Sequence, residues 1–266
     1  MKKIIRDFFY NKEVININVD GAKLLKMHTI IIKKKILLRS AFQTFYNDMG
    51  KICDLYFCKH GLEIELGSGV GFFKKTRSKI ITSDIRPGLK YDMKLDATKM
   101  KLKRNSVKCI FAINVFHHIA YPNKFFRELI RVLKKNGGCI LIEPHNGFFS
   151  KLLHKNMHKN EYFNTTIKDW DIKKKSGPLS NANQALSHNV FERDKLQFKK
   201  KYGSRLQVVH KQYELNGLRY IFSGGLNFKQ FLPSFSLLFL KILEIIFSPF
   251  ARHWTPFQMI VIKKIK

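Results

Sequence analysis

The residues best placed to do chemistry surround one loop. In "LEIELGSGVGFFKK", Leu62 to Lys75, an alternating apolar segment runs into Gly67, Gly69 and Gly71 at every second position, with Ser68 between the first two. A glycine loop that follows a strand and opens a helix lets backbone N–H groups approach a ligand, and a helix N-terminus favours negative charge. Spacing narrows the ligand. The dinucleotide pattern G-x-G-x-x-G fails because its third glycine would fall where the chain has Phe72, and no Gly-Lys-Ser or Gly-Lys-Thr completes a P-loop. Glu65, two residues before the first glycine, is a poor neighbour for a pyrophosphate and a good one for a positively charged ligand. Asp84 closes the next strand-like run, where an open α/β sheet places the carboxylate that accepts from ribose hydroxyls. Asp96, in "KLDATKM", precedes the strand after that and can meet an adenine amino group. S-adenosylmethionine, with an amino group and a sulfonium but no phosphate, suits this order of acids. Candidate proton acceptors are His117 and His118 in "NVFHHI", His145 after "ILIEP", and His158, which Glu161 in "MHKNEYF" would orient.

The elements that must position these groups follow from periodicity. Residues 1–60 read as a helical segment, with apolar residues at mixed three and four spacing. From Gly61 the texture changes to short apolar runs, "LEIEL" (62–66), "KIITSD" (79–84), "VKCIFAIN" (107–114) and "GCILIEP" (138–144). Between the last two, "YPNKFFRELIRVLKKNGG" carries Phe125, Phe126, Leu129, Ile130, Val132 and Leu133 on a helical stripe stopped by two glycines. Strands alternating with helices imply right-handed parallel βαβ units. After Pro144 the alternation lapses, so 146–204 reads as a lid insertion over the active face and 61–145 as the cofactor-binding core. "RLQVVHKQYE" (205–214) and "FQMIVIKKIK" (257–266), within a C-terminal part spanning 205–266, are expected to complete the sheet from its other edge.

With these motifs in order, the sequence resembles the class I S-adenosylmethionine-dependent methyltransferases, in the form of the ubiquinone and menaquinone methyltransferase-like group (methyltransferase domain 11 type). "ELGSGVG" matches their first motif, "SDI" the acid after strand two, "LDAT" the third element, and "INVFHHIAYPNKFFRELIRVLKKNGGCILIEP" the region from strand four to strand five. "SNANQALSHNVFERD" and "LRYIFSGGLNF" look like downstream segments of a bacterial subgroup. The resemblance implies an α/β, Rossmann-like fold with a mostly parallel seven-stranded sheet flanked by helices. It implies S-adenosylmethionine as cofactor, with Glu65, Gly67 and Gly69 at its methionine end, Asp84 at the ribose, Asp96 with Ala97 at the adenine, and Asn114 at the mouth of strand four. Ser68, Gly71 and Ile85 complete the expected cofactor contacts. Glu63, polar inside a buried strand, and Arg86-Pro87 after Asp84 depart from the family pattern.

Absent motifs restrict the acceptor. Strand four ends in "NVFHHI" and not in Asn/Asp-Pro-Pro-aromatic, against methylation of exocyclic base amines, and no Pro-Cys pair offers a thiol for attack on cytosine. No dense cluster of carboxylates and histidines is evident along the chain, so no metal is expected. An oxygen, carbon or amine nucleophile on a small-molecule or lipid-linked acceptor remains, with O- or C-methylation favoured. The competing readings are an RNA methyltransferase and a non-catalytic peripheral membrane protein that retains the fold. The chain holds 50 Lys and Arg against 19 Asp and Glu, a net charge of +31, which attracts anionic partners, an anionic membrane surface included. Coding bias accounts for such a lysine excess equally well. Nucleic acid is disfavoured because the aromatics are not interleaved with basic residues as a stacking platform requires. Arg6, Asp7 and Asn11 interrupt any signal-peptide core, which reads as a cytoplasmic protein held at the inner face of the membrane. Cys53, Cys58, Cys109 and Cys139 lack zinc spacing and read as reduced thiols. "FLPSFSLLFLKILEIIFSPFA", from Phe231 to Ala251, has spanning length but carries Lys241 and Glu244 near its middle. It reads first as a helix buried against the sheet, and second as an amphipathic helix on a membrane surface.

Overall fold

The computed structural model describes residues 8–15, 17–86, 90–157, 161–172, 177–179 and 182–266. The N-terminal part forms α1 (Ala22–Lys34) and α2 (Ile36–Tyr56). In α2 the buried positions Leu37, Leu38, Ala41, Phe45, Met49 and Cys53 recur at three and four residues, the stripe that lays a helix on a sheet. The alternating core follows as β1 (Leu62–Leu66), β2 (Ile81–Asp84), β3 (Met93–Lys94), β4 (Val107–Ile113), α3 (Pro122–Val132) and β5 (Leu133–Pro144).

The expected insertion contains α4 (Phe148–Met157), a two-residue ribbon of β6 (Glu161–Tyr162) with β7 (Ala182–Asn183), the short α5 (Leu186–His188) running into a π-helical turn, and α6 (Lys195–Tyr202). The chain closes with β8 (Leu206–Tyr213), α7 (Gly217–Phe222), α8 (Leu237–Ile246), α9 (Ala251–Trp254) and β9 (Phe257–Lys264).

Seven strands form one sheet in the order β3-β2-β1-β4-β5-β9-β8. β1 to β5 are parallel, and β9 runs antiparallel between β5 and β8, with Cys139 opposite Ile262 and Val208 opposite Ile262. This is the Rossmann-like methyltransferase fold, mostly parallel and flanked by helices. The order reverses between β1 and β4, and such a switch point opens a crevice at the carboxyl ends of the strands.

Both faces of the sheet are dry. On one, α3 contributes Phe125, Phe126 and Leu129 to a core shared with Phe191 and Trp170. On the other, Phe45, Tyr46 and Met49 of α2 pack on Phe111, Ile140 and Met259. The four cysteines are free thiols, three of them buried. Glu63 fits its strand because Arg77 and Lys108 enclose it: Lys108 Nζ donates at 2.8 Å and Arg77 Nη2 at 2.7 Å, while Arg77 Nε makes a further short bond.

The expectation that the 231–251 segment packs as a buried helix is corrected. Within α8 only Leu240 and Glu244 are buried, and Leu238, Phe239, Ile242, Ile245 and Ile246 face outward. The charged Glu244 is turned inward because Arg219 waits there, with its backbone N–H at 2.9 Å and Nε at 2.7 Å from the carboxylate. No single helix among the described residues is long and apolar enough to cross a membrane; Ser234–Ile246 and Ser248–Trp254 would do so only as a pair bent by 62°.

Candidate active site

The chain leaves β1 in left-handed backbone, with φ of 65° at Gly67 and 50° at Gly69. A side chain is strained in that region, so glycine is required there. Ser68 clamps the loop onto β2. Its N–H donates to the Ser83 carbonyl at 2.8 Å, and its hydroxyl donates to the Glu65 carbonyl at 3.1 Å and accepts from the Ser83 N–H at 3.0 Å. The Ser68 side chain therefore holds the loop's shape, and the residue also lines a cavity at this edge. Gly71 gives close packing, because a Cβ there would lie 2.4 Å from the Tyr46 hydroxyl.

Among the described residues, the buried atoms without a hydrogen-bond partner at this edge include Glu65 Oε2 and Asn114 Oδ1. Burial pushes the Glu65 carboxyl up to about 8, so near neutral pH the acid holds its proton until a cation approaches. Asn114 closes β4 with φ of 54°, a conformation that asparagine tolerates better than most residues. A cation and a hydrogen-bond donor are what these two atoms lack.

Asp84, 2% exposed, ends β2 and accepts from the Gly69 N–H at 3.1 Å. Arg86 takes the rest of its carboxylate: its N–H and Nε lie 2.9 and 3.2 Å from Oδ1, and Nη2 lies 3.1 Å from Oδ2. A hydroxyl donor arriving at Asp84 must share it with this guanidinium or displace it. Asp96 is exposed and its Oδ1 caps Thr98 through N–H and hydroxyl at 2.7 and 2.8 Å.

Two cavities meet here. The first, of about 390 Å³, is lined by Asp84, Ile85, Asp96, Ala97 and Asn114 among others. The second, of about 240 Å³, lies beneath the glycine loop and is lined by His117, His118, Glu161 and Gln184, with apolar walls from Leu25, Phe42, Leu153, Tyr220, Leu226 and Phe257. Gly67, Arg86, Asn114, His118 and Leu179 border both.

The second cavity holds the titratable cluster. His117 Nδ1 lies 2.6 Å from Oε2 of Glu143, and its Nε2 lies 3.8 Å from Glu161 Oε2. His118 Nε2 lies 3.7 Å from the other Glu161 oxygen. Glu143, 0% exposed, also accepts from the backbone N–H groups of Val115 and Phe116 at 2.9 and 2.7 Å. It thereby fixes both the loop after β4 and the orientation of the His117 ring. Although nothing along the chain suggested a dense cluster, the fold brings ligand-type atoms of His117, His118 and Glu161 within 4.8 Å of one another.

Other expected groups part company with this cluster. His145 is turned away: its Nε2 meets the Arg252 carbonyl at 3.0 Å, its ring packs on Tyr213, and burial lowers its pKa. His158 lies outside the described residues, and Glu161 meets His117, His118 and Gln184. Glu143 escaped the sequence reading because it ends an apolar run and resembles a strand terminus; its one signal was an acid at the carboxyl end of strand five, where ligands gather. The wall supplied by Leu25 and Phe42 had no local signal.

Residues 64–141 match the family model described as a methyltransferase domain. No curated protein matches the sequence. Among solved structures the chain is similar to an S-adenosylmethionine-dependent methyltransferase from Thermotoga maritima, at 14% identity and a TM-score of 0.49 over 91% of this chain and 100% of that one. It is also similar to an S-adenosylmethionine-dependent methyltransferase from Archaeoglobus fulgidus (13% identity, TM-score 0.44, 85% and 96% covered). A third is the geranyl diphosphate C-methyltransferase from Streptomyces coelicolor, solved with S-adenosylhomocysteine (10% identity, TM-score 0.41, 83% and 79% covered). The match to a methyltransferase domain runs from β1 into β5 and takes in the glycine loop at the carboxyl edge of β1, and S-adenosylmethionine is the cofactor this domain implies.

Proposed function

We propose that the protein methylates an oxygen or carbon nucleophile on an apolar small-molecule or lipid-linked acceptor held in the 240 Å³ cavity. The observation that carries this reading is the shared border of the two cavities, with a proton-handling cluster on one side and the ribose and adenine acids on the other. When bound, S-adenosylmethionine supplies an electrophilic methyl group. Glu65 with Gly67 and Gly69 holds its methionine end, Asp84 and Ile85 the ribose, Asp96 and Ala97 the adenine, and Asn114 borders the reacting centre. Ser68 and Gly71 act through the loop's shape.

The chain then has to seat the acceptor, exclude water and remove a proton. His117 is the favoured base. A proton on Nδ1 is what Glu143 accepts, which leaves Nε2 as the basic nitrogen facing the cavity, and Glu161 offers negative charge that stabilises the imidazolium once formed. His118, on the border, positions the acceptor. The insertion, residues 146–204, acts as the lid: it brings Leu153, Glu161 and Gln184 to the acceptor side.

Six apolar wall residues favour a hydrocarbon-bearing acceptor over a nucleotide. Phe235, Phe239, Phe247 and Phe250 weigh the same way, since they lie exposed beside Leu and Ile side chains on and around α8. The partnerless Glu65 and Asn114 atoms weigh against a non-catalytic protein. The test is to incubate the protein with methyl-labelled cofactor and, in parallel, an isoprenoid and glycolipid extract or total RNA. Label in the organic phase is expected, and label confined to RNA would overturn the reading.

A further inference from the structure

The outer face of the C-terminal helices has the opposite polarity from a water-facing one. Phe235 is 87% exposed, Leu238 69% and Ile245 71%, and Phe239, Ile242 and Ile246 are exposed beside them. The acidic residue of α8, Glu244, faces inward onto Arg219, so the outward face carries a single charge, the cation Lys241. After a 62° bend the chain continues into α9, which packs against α4. There Phe148 is 73% exposed, with Phe149 and Leu152 exposed near it. Lys151, Arg252 and His253 lie at the solvent side of these same turns. The face is therefore a broad apolar band bordered by cations.

We propose that this band docks on an anionic lipid bilayer, with α8 lying in the interfacial plane. Three features choose that occupant. Neither helix alone is long enough to span, and the pair is bent by 62°, which suits an interfacial element. Lysine and arginine stems at the rim can lie along apolar surface and extend their charges to lipid phosphates. A net charge of +31 on each chain opposes a second copy of the protein as the cover and favours an anionic surface.

The docked face adjoins the acceptor side of the site. α4 exposes Phe148, Phe149 and Leu152 to the outside and turns Leu153 into the acceptor cavity. Docking thus sets the cavity's wall against the bilayer, from which an acceptor with a lipid tail enters without crossing water. That last step rests on the reading of the site as a methyltransferase for lipid-linked acceptors; the docking itself does not.

The test is co-sedimentation with vesicles of equal parts phosphatidylglycerol and phosphatidylcholine, and with phosphatidylcholine alone. The intact chain is expected to pellet with the anionic vesicles, less so at high salt, and at least about tenfold more weakly with the neutral ones. The variant Leu238→Glu/Ile242→Glu/Ile245→Glu, changed only at exposed positions, is expected to lose at least about tenfold in vesicle affinity while keeping its melting temperature and its S-adenosylhomocysteine affinity. Equal binding by the variant, or equal binding to neutral and anionic vesicles, would overturn the proposal. So would a lipid-free dimer in sedimentation velocity that the variant dissolves, because the cover would then be a second copy. If vesicles bind and S-adenosylhomocysteine does not, the methyltransferase reading fails and the docking surface stands.

Discussion

Glu63 and Glu65 stand two residues apart on β1, at opposite ends of the strand, and meet opposite fates. Burial pushes the Glu63 carboxyl up, but Arg77 and Lys108 outweigh it and hold it below the usual carboxylate range. Asp54 joins the same cations, with Arg77 Nη2 at 2.6 Å. Glu65 is more deeply buried and has no cation beside it, so its carboxyl rises to about 8. The amino edge of the sheet is electrostatically complete. The carboxyl edge has left-handed glycines and leaves Glu65 Oε2 and Asn114 Oδ1 without partners among the described residues. On the proposed reading one edge serves stability and the other chemistry, and substitutions at each should separate the two.

The largest effect should come from breaking the carboxyl edge sterically. Gly69→Val places a β-branched residue at φ 50°, and S-adenosylhomocysteine binding in calorimetry is expected to weaken by more than about 100-fold, with the fold retained by circular dichroism. His117→Asn and Glu143→Gln should lower kcat by about 100-fold or more while cofactor affinity stays within about threefold; equal losses in both quantities would mean a structural role only. At the amino edge, Glu63→Ala leaves the exposed Asp54 as the remaining carboxylate for Lys108 and Arg77 and should cost about 3 kcal/mol in denaturant unfolding, without changing cofactor affinity at low temperature. Smallest is the effect at His145, whose replacement by Asn should leave kcat within about twofold, since its ring is committed to the Arg252 carbonyl. Addition of a chelator should be equally silent if the His117, His118 and Glu161 cluster moves protons and holds no metal.

The same contrast explains what could be read from the chain. The strands, the glycine loop and the acids near the carboxyl ends of β1 and β2 are local features written in contiguous residues. β1 runs over Leu62–Leu66 as the alternation required, and the C-terminal pair β8 and β9 completes the sheet as expected. The second cavity is assembled from distant pieces: Leu25 and Phe42 from the N-terminal helices, Glu161 and Gln184 from the insertion, Tyr220 and Phe257 from the end. No spacing rule links those positions. β3, only Met93–Lys94, was too short to show a period. For α8, composition gave the apolar character but not the face; the inward turn of Glu244 depends on Arg219, 25 residues away.

Glu65 tests the account most directly, through titration of the intact protein with S-adenosylhomocysteine between pH 6 and pH 9, beside Glu65→Gln. The ligand's ammonium should lower a carboxyl that stands at about 8 in the free protein, so binding should release a proton and tighten as pH rises, by up to about tenfold per unit, levelling off above that value. Glu65→Gln should bind about tenfold more weakly and lose the pH dependence. Absence of binding, or affinity in the intact protein that does not change across this range, would contradict the claim that this edge of the sheet is completed by S-adenosylmethionine.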